Sequence, residues 1–231
     1  MSGGIMQTLE EAFRTFQRYA FRLEMLGYYD VEEEREDYQC FLNGEAVSER
    51  KNEPWCSQVR EFTAEHKDVS RIRILPAHLN PYIRYELEWG YPYSAEAGEL
   101  IWLVPYTGYE LVPDSISDFW LFDDEHVFAM QYDDGKYQGA TLLPSSEMRK
   151  IRDVMRSLME HATLFEDYNK RLRRGIDPLS KIQIRNMEDV SPLITAREVR
   201  QGWSAFVDPK SGTWCKALTS ERLRRLSADK P

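Results

Sequence analysis

Two segments of the chain place arginines and glutamates where they could bind a charged ligand. Arg71 and Arg73 alternate with isoleucines in the run RIRIL, and Arg84 and Glu86 alternate with apolar residues in the run YIRYEL. Glu99 follows a glycine further along. Arginine forks bind carboxylates and phosphates through two parallel hydrogen bonds. These residues could therefore form either a pocket for an anionic ligand or an internal network of ion pairs.

A second group of carboxylates lies in and beside two acidic turns. Asp118 precedes the apolar run FWLF, Asp123 and Asp124 follow it, and a further aspartate pair ends before Gly135. Clustered carboxylate oxygens can bind Mg²⁺ or Ca²⁺, although this spacing does not match an EF-hand loop. Aspartate also favours turns because its side chain bonds the nearby backbone. The pattern leaves a metal site and a structural role open.

Motifs of the easily recognised enzyme classes are absent from the sequence. It contains no dinucleotide-binding GxGxxG after a strand, no phosphate-binding loop, no HExxH, no GxSxG and no zinc-deaminase signature. Cys40, Cys56 and Cys215 are far apart and form neither a disulfide framework nor a CxxC pair. We therefore expect no cofactor and no bound metal, and a reducing cytoplasm is the expected location.

The charges are distributed unevenly along the 231 residues, whose formal net charge is −9. Residues 1–170 contain 17 Lys and Arg against 32 Asp and Glu, whereas residues 171–231 contain 13 against 7. We expect a domain over residues 1–174 and a basic extension over residues 175–231 that docks on it, since a covalently attached partner has a high effective concentration. The extension could instead contact a nucleic acid. No membrane contact is expected, because no run of about 18 apolar residues occurs.

Apolar spacing predicts the elements that position these groups. Spacings of three and four residues predict helices at 8–26, 53–67 and 146–174, the first beginning with a capping box at Thr8 and Glu11. Residues 71–75 and 100–105 are predicted to be strands. Residues 80–89 alternate like a strand, but the Asn-Pro pair at their start favours a helix, which we prefer.

The segment 119–143 predicts three strands joined by two tight turns, which is an antiparallel meander. Residues 203–207 and 213–218 are predicted to pair around a Pro-Lys-Ser-Gly turn. The predicted fold is therefore α+β, with an antiparallel sheet that includes the meander, several helices packed against it, and a small C-terminal accessory lobe.

Six segments together resemble a known family. They read FRLE at 21–24, FLNG at 41–44, RIR at 71–73, YIRYE at 82–86, AGE at 97–99 and DFWLFDD at 118–124. In order and spacing they resemble the bacterial domain-of-unknown-function family 6879, over about residues 8–170. The resemblance implies no reaction. It implies a regulatory locus, because such proteins tend to be encoded near helix-turn-helix regulators, some of them described as antitoxin-like.

The matching positions form the candidate ligand or interaction site, which consists of Arg71, Arg73, Arg84, Glu86, Glu99, Asp118 and Asp123. No catalytic residue is identified. The preferred hypothesis is a regulatory or protein-interaction protein of a bacterial, toxin–antitoxin-like locus, with a protein as its partner. The alternative is a metal-dependent hydrolase or nuclease in which Asp118, Asp123 and Glu99 converge near an arginine pair. The oligomeric state stays open.

Overall fold

A seven-stranded mixed sheet organises the chain in the computed structural model, which describes residues 8–45, 53–77, 79–173, 203–207 and 214–218. Its strands are β1 (Tyr19–Glu24), β2 (Asp68–Ile74), β3 (Leu100–Val104), β4 (Phe119–Phe122), β5 (His126–Asp133), β6 (Lys136–Leu142) and β7 (Thr163–Leu164). They lie in the order β6-β5-β4-β1-β2-β3-β7. The β1–β2 and β2–β3 pairs are parallel, and the other neighbours are antiparallel.

Seven helices accompany the sheet in the described part of the chain. They are α1 (Leu9–Thr15), α2 (Arg35–Leu42), α3 (Glu53–Ala64), α4 (Pro81–Tyr85), α5 (Tyr91–Ala97), α6 (Met148–Met159) and α7 (Phe165–Arg173). A π-helical turn, Glu86–Gly90, joins α4 to α5, and a 3₁₀ turn, Glu32–Glu34, precedes α2. None of these helices combines the length and apolar character needed to cross a membrane.

The two faces of the sheet differ in composition. One face packs on α6 through a purely apolar cluster that includes Leu23, Ile72, Leu121 and Leu158. The other face carries two apolar clusters, one shared with α1 and α3 and the other shared with α4 and α5. Buried charged residues of β1 and β2 lie where these two clusters meet. The candidate site is built there.

The α+β prediction is confirmed, including the meander β4-β5-β6 and the helical entry at Asn80, whose side chain accepts a hydrogen bond from the Ile83 amide. The capping box that begins α1 is also present. Two tail strands, β8 (Trp203–Val207) and β9 (Trp214–Leu218), pair antiparallel as expected. Apart from these two strands, residues 175–231 lie outside the described residues, and the docking of this extension on the domain stays a prediction.

The prediction of one helix over residues 8–26 was wrong. The backbone becomes extended at Phe16, and residues 19–24 form β1 in the middle of the sheet. Because both faces of a central strand are covered, Phe21 and Leu23 face one core while Ala20 and Arg22 face the other. Apolar residues on both faces can mimic helical spacing. The predicted helix over 146–174 is likewise divided, because β7 separates α6 from α7.

Candidate ligand-binding site

Strand register brings four charged side chains together inside the protein. Arg22 of β1 lies beside Arg71 of β2, and Glu24 lies beside Arg73. Their exposed fractions are 8%, 9%, 5% and 0% respectively. Buried charges persist in proteins when they are paired or hydrogen-bonded. The surroundings of these four groups therefore determine whether the cluster is structural or able to bind a ligand.

Arg71 is held on two sides by carboxylates. Its Nε and Nη2 donate to the two oxygens of Glu99 at 2.5 and 3.1 Å, and its Nη1 donates to both oxygens of Glu24 at 3.1 Å. The indole Nε1 of Trp55 donates to the second oxygen of Glu99 at 2.8 Å. An internal network of ion pairs, one of the two arrangements that the sequence left open, is therefore present around Arg71. These bonds fix the guanidinium in one orientation.

Glu24 is the shared acceptor of the network. It accepts hydrogen bonds from Arg71, from Arg22 Nε at 2.7 Å and from the Tyr91 hydroxyl at 3.3 Å. Burial alone would raise the pKa of Glu24, but the positive charges of Arg71, Arg22 and Arg73 outweigh it and lower the pKa to about 2. Glu24 is therefore a permanent anion at neutral pH.

Arg73 and Asp118 complete the network behind Glu24. Arg73 donates through Nη2 to the Leu26 carbonyl and lies over the Tyr29 ring at 5.1 Å, while its Nε and Nη1 have no hydrogen-bond partner. Asp118 accepts from the Met25 amide at 3.0 Å and from the Tyr29 hydroxyl. Burial raises the pKa of Asp118, although the Arg22 charge and the Tyr29 hydrogen bond oppose the shift. Three buried arginines thus face three buried carboxylates.

A cavity of about 130 Å³ opens beside this network. Arg22, Glu24 and Arg71 contribute to its wall. The remaining lining residues come from the loop before α2, from α4 and its π turn, and from the β5–β6 hairpin: Tyr29, Asp30, Val31, Glu34, Tyr82, Glu86, Tyr132, Gly135 and Tyr137. We call this space the tyrosine cavity, because four tyrosines line it.

Glu86 faces the tyrosine cavity without a protein partner. It is 7% exposed, and the described residues form neither a hydrogen bond nor an ion pair with it. It begins the π-helical turn Glu86–Gly90, a feature that often marks functional positions. Gly90 leaves room for it, because a Cβ there would lie 3.0 Å from Glu86 Oε1. Burial, together with the charges of Glu34 and Glu24, raises the pKa of Glu86 well above its usual value.

Glu34 is the second carboxylate of this wall and is only partly exposed. The Tyr82 hydroxyl donates to its Oε2 at 3.2 Å. Burial raises the pKa of Glu34 to about 7, against the lowering effect of the Tyr82 hydrogen bond and the Arg71 charge. Glu34 and Glu86 therefore keep protons to a higher pH than ordinary surface glutamates do.

The rim of the cavity is fixed by a tight contact between two loops. The Asp30 amide donates to the Gly135 carbonyl at 2.9 Å. Gly135 has a φ of +80°, and a Cβ there would lie 2.8 Å from the Tyr28 ring and 2.9 Å from the Tyr28 carbonyl. Asp30 is also bound by Arg35 at 2.8 and 2.9 Å. Glycine at position 135 thus allows the hairpin to close one side of the cavity.

The residues that the sequence proposed as a site take three different positions. Arg71 and Glu86 line the cavity, whereas Arg73, Glu99 and Asp118 are buried in the network behind it. Arg84 lies on the exposed side of α4 and pairs with Glu88 at 3.0 Å, with both side chains 49% exposed. Asp118 directly precedes β4 and Asp123 directly follows it, so the two lie at opposite ends of the strand. The structure therefore brings together five of the seven proposed residues.

Asp123 has a structural position. Its carboxylate accepts hydrogen bonds from the amides of Gln17, Arg18 and Tyr19 at 2.7, 2.7 and 2.9 Å. Its φ of 52° and that of Asp124, 67°, belong to the left-handed region that aspartate tolerates in turns. These bonds join the β4–β5 turn to the start of β1.

Replacing Asp123 with asparagine should lower the free energy of unfolding by about 1–2 kcal/mol, because only one side-chain oxygen then remains for three amides. Asparagine also tolerates the left-handed backbone, so the substitution isolates the lost acceptor. Urea denaturation measures the loss. Glu125→Gln, in the same turn, should be nearly neutral. Equal losses in the two variants would contradict this role for Asp123.

The hydrolase hypothesis requires Asp118, Asp123 and Glu99 to converge. They bind, respectively, Tyr29, backbone amides at the start of β1, and Arg71. In the described part of the chain, no group of three or more His, Cys, Asp or Glu side chains is arranged to hold a metal ion. Metal-dependent hydrolysis stays a prediction that this arrangement does not favour.

Sequence reasoning missed several residues of the site, above all Arg22, Glu24 and Glu34. The first two alternate with Phe21 and Leu23, which is the period of a strand, but the helical spacing before them concealed it. Glu34 belongs to the acidic run DVEEERE, which resembles the solvated start of a helix. Only the folded chain distinguishes it from the exposed Glu32 and Glu33 beside it.

Comparison with known proteins gives one result. A family model described as "Domain of unknown function (DUF6879)" matches residues 7–170, which include every residue of the charge network and of the cavity wall. No curated protein matches the chain.

Proposed function

We propose a function for this chain, which belongs to the DUF6879 family: it is a regulatory protein without catalytic activity that binds a small polar ligand in the tyrosine cavity. The observation that supports this proposal is the position of Glu86. Glu86 lines the cavity, the residue is only 7% exposed, and its carboxyl has no hydrogen-bond or ion-pair partner among the described residues. A ligand in the cavity could donate a hydrogen bond to this carboxyl, which the described residues leave without one.

The other charged groups of the cavity wall are preorganised for binding. Arg71 and Glu24 are fixed by several hydrogen bonds, and Arg22 is fixed by Glu24 and by the Tyr132 hydroxyl at 2.7 Å. Groups that are already held in place lose little conformational entropy when a ligand binds. The cavity is therefore better suited to binding than a surface patch of the same charges.

The absence of catalysis in the proposal rests on the chemistry of the cavity wall. Among the described residues that line the cavity there is no histidine, cysteine, serine, threonine or lysine. A serine, threonine, cysteine or lysine nucleophile activated by a histidine therefore cannot be assembled from them. The regulatory part of the proposal, with a protein as partner, rests on the resemblance to proteins encoded near helix-turn-helix regulators.

A thermal-shift screen of small polar metabolites at neutral pH tests ligand binding. We expect at least one compound to stabilise the wild-type protein, by about 2.7 kcal/mol at a concentration about 100 times its Kd. The same compound should stabilise Glu86→Gln much less, because that variant lacks the ionisable carboxyl that faces the cavity. Glu88→Gln is the matched control, since Glu88 lies on the same π-helical turn but is exposed.

The proposal fails if no compound stabilises the wild-type protein more than it stabilises Glu86→Gln. It also fails if Glu88→Gln loses the stabilisation to the same extent, because the effect would then not depend on the cavity. A stabilising compound that the protein converts into a product would overturn the non-catalytic part alone.

A further inference from the structure

We infer that the ligand of the tyrosine cavity is a small organic cation, carrying an ammonium or guanidinium group, that binds between Glu34 and Glu86. This inference rests on the proposed ligand-binding function and names the ligand class. It follows from which charges in the cavity wall already have partners, from the aromatic groups beside them, and from the size of the space.

The ionisable groups of the cavity wall that lack an ion-pair partner among the described residues are carboxyls. Arg22, Arg71 and Arg73 are matched in number by the buried carboxylates Glu24, Glu99 and Asp118. The remaining acidic group of the rim, Asp30, is bound by Arg35. Glu34 and Glu86 are left, and within the described residues neither forms an ion pair.

An anionic ligand would find few free donors in this wall. Arg71 uses all three of its nitrogens on Glu24 and Glu99, and Arg22 uses two of its nitrogens on Glu24 and Tyr132. An anion would also face Glu34 and Glu86, whose ionised forms would repel it and which form no ion pair within the described residues. A cation with N–H donors can instead form charge-assisted hydrogen bonds with both of them.

Aromatic rings surround the same space. Tyr29, Tyr82, Tyr132 and Tyr137 line the cavity, and Tyr132 packs edge-on against Tyr29 at 5.2 Å and against Tyr137 at 6.0 Å. Organic cations are attracted to aromatic faces, which is the basis of aromatic cages. Aromatic faces offer no comparable attraction to a carboxylate or phosphate.

The size of the cavity limits the ligand to a few non-hydrogen atoms. Its volume of about 130 Å³ is close to the roughly 150 Å³ of an engineered protein cavity that binds benzene. Propylammonium and methylguanidinium are of this size, and each has uncharged or anionic analogues of similar shape. They are therefore suitable probes.

Isothermal titration calorimetry with matched probes tests the inference. Propylammonium should bind the wild-type protein, whereas 1-propanol and propionate should bind roughly tenfold more weakly or worse, since an interaction with a charged partner is lost. Methylguanidinium should likewise exceed N-methylurea. Glu86→Gln and Glu34→Gln should each weaken cation binding by roughly tenfold or more, and Glu88→Gln should leave it unchanged.

A second readout separates binding at these carboxyls from binding elsewhere. Glu34 and Glu86 share the cavity wall with Arg22, Glu24, Asp30 and Arg71, and the pKa values of Glu34 and Glu86 are raised. A bound cation favours their ionised forms, so binding should release protons. Titrations in buffers of different ionisation enthalpy measure this release. It should disappear in a Glu34→Gln, Glu86→Gln double variant.

Three outcomes would decide the matter. Binding of propionate or phosphate that depends on Glu86, with no binding of either cation, overturns the ligand class but leaves the proposed binding function intact. Cation binding that persists in both single variants and releases no protons places the cation elsewhere and overturns the inference. If neither cation binds and the metabolite screen also finds nothing that depends on Glu86, both the inference and the proposed function fail.

Discussion

Replacing Arg71 with methionine should lower the free energy of unfolding by about 3–5 kcal/mol, because removing one partner of a buried ion pair leaves uncompensated charge behind. Arg71 bridges Glu99 and Glu24, and its guanidinium also lies 5.5 Å from the centre of the Tyr91 ring. Methionine has a similar length and is apolar, so the variant removes the charge while keeping much of the volume. Urea denaturation followed by circular dichroism measures the loss.

Arg84→Met is the matched control for this experiment. Arg84 pairs with Glu88 on the exposed side of α4, with both side chains half-exposed. An exposed pair one helical turn apart contributes only about 0.3–0.5 kcal/mol. If Arg84→Met destabilised the protein as much as Arg71→Met, burial would not be the cause of the difference.

A double variant identifies the source of the penalty. Arg71→Met combined with Glu99→Gln removes both the cation and one of the anions that it leaves behind. The double variant should therefore be more stable than the sum of the two single losses predicts, by about 0.5–3 kcal/mol for residues in one network. Strictly additive losses would show that lost packing, and not unpaired charge, dominates.

Sequence patterns of a few consecutive residues predicted the parts of the fold that depend on residues close together in the chain. Asp134 and Gly135 close the β5–β6 hairpin, Asn80 caps α4, and Thr8 with Glu11 begins α1. Each of these features depends on a few consecutive side chains and the backbone beside them. Sequence reasoning is reliable for such features because the groups that interact are also close in the chain.

The centre of the sheet was not predictable in the same way. β1 pairs with β2 and β4, which are about 50 and 100 residues away, and its parallel register with β2 sets Arg22 beside Arg71. A strand covered on both faces loses the clean alternation of polar and apolar residues. Long-range register therefore decides which charges meet, and the sequence shows only that the charges exist.

The same limit applies to the site. Arg71, Glu86 and Glu99 could be proposed from their types, but Glu86 and Glu88 look equivalent in sequence. The π-helical turn buries Glu86 and exposes Glu88. That difference is a property of backbone geometry, and it determines which of the two can bind a ligand.

Replacing Glu24 with glutamine should lower the free energy of unfolding by about 3 kcal/mol at neutral pH. It should also make that free energy depend less on pH in acid. The pKa of Glu24 is lowered from 4.5 to about 2 in the folded protein. A lowered pKa means that the unfolded chain binds the proton more readily, so this contribution is fully present above about pH 4.5 and is lost as the pH falls towards 2. Urea denaturation from acid to neutral pH measures both effects.

Glu34, in the cavity wall, should affect the dependence of stability on pH in the opposite direction. The pKa of Glu34 is raised to about 7, so its contribution is present below about pH 4.5 and is lost as the pH rises through 7. Glu24→Gln should therefore change the slope of stability against pH only between about pH 2 and 4.5, and Glu34→Gln only between about pH 4.5 and 7. If Glu24→Gln kept the acid limb of the wild-type protein, Glu24 would not be the anion around which the arginines are arranged. The arginines would then lack the charge partner that the cation-binding inference assigns to them.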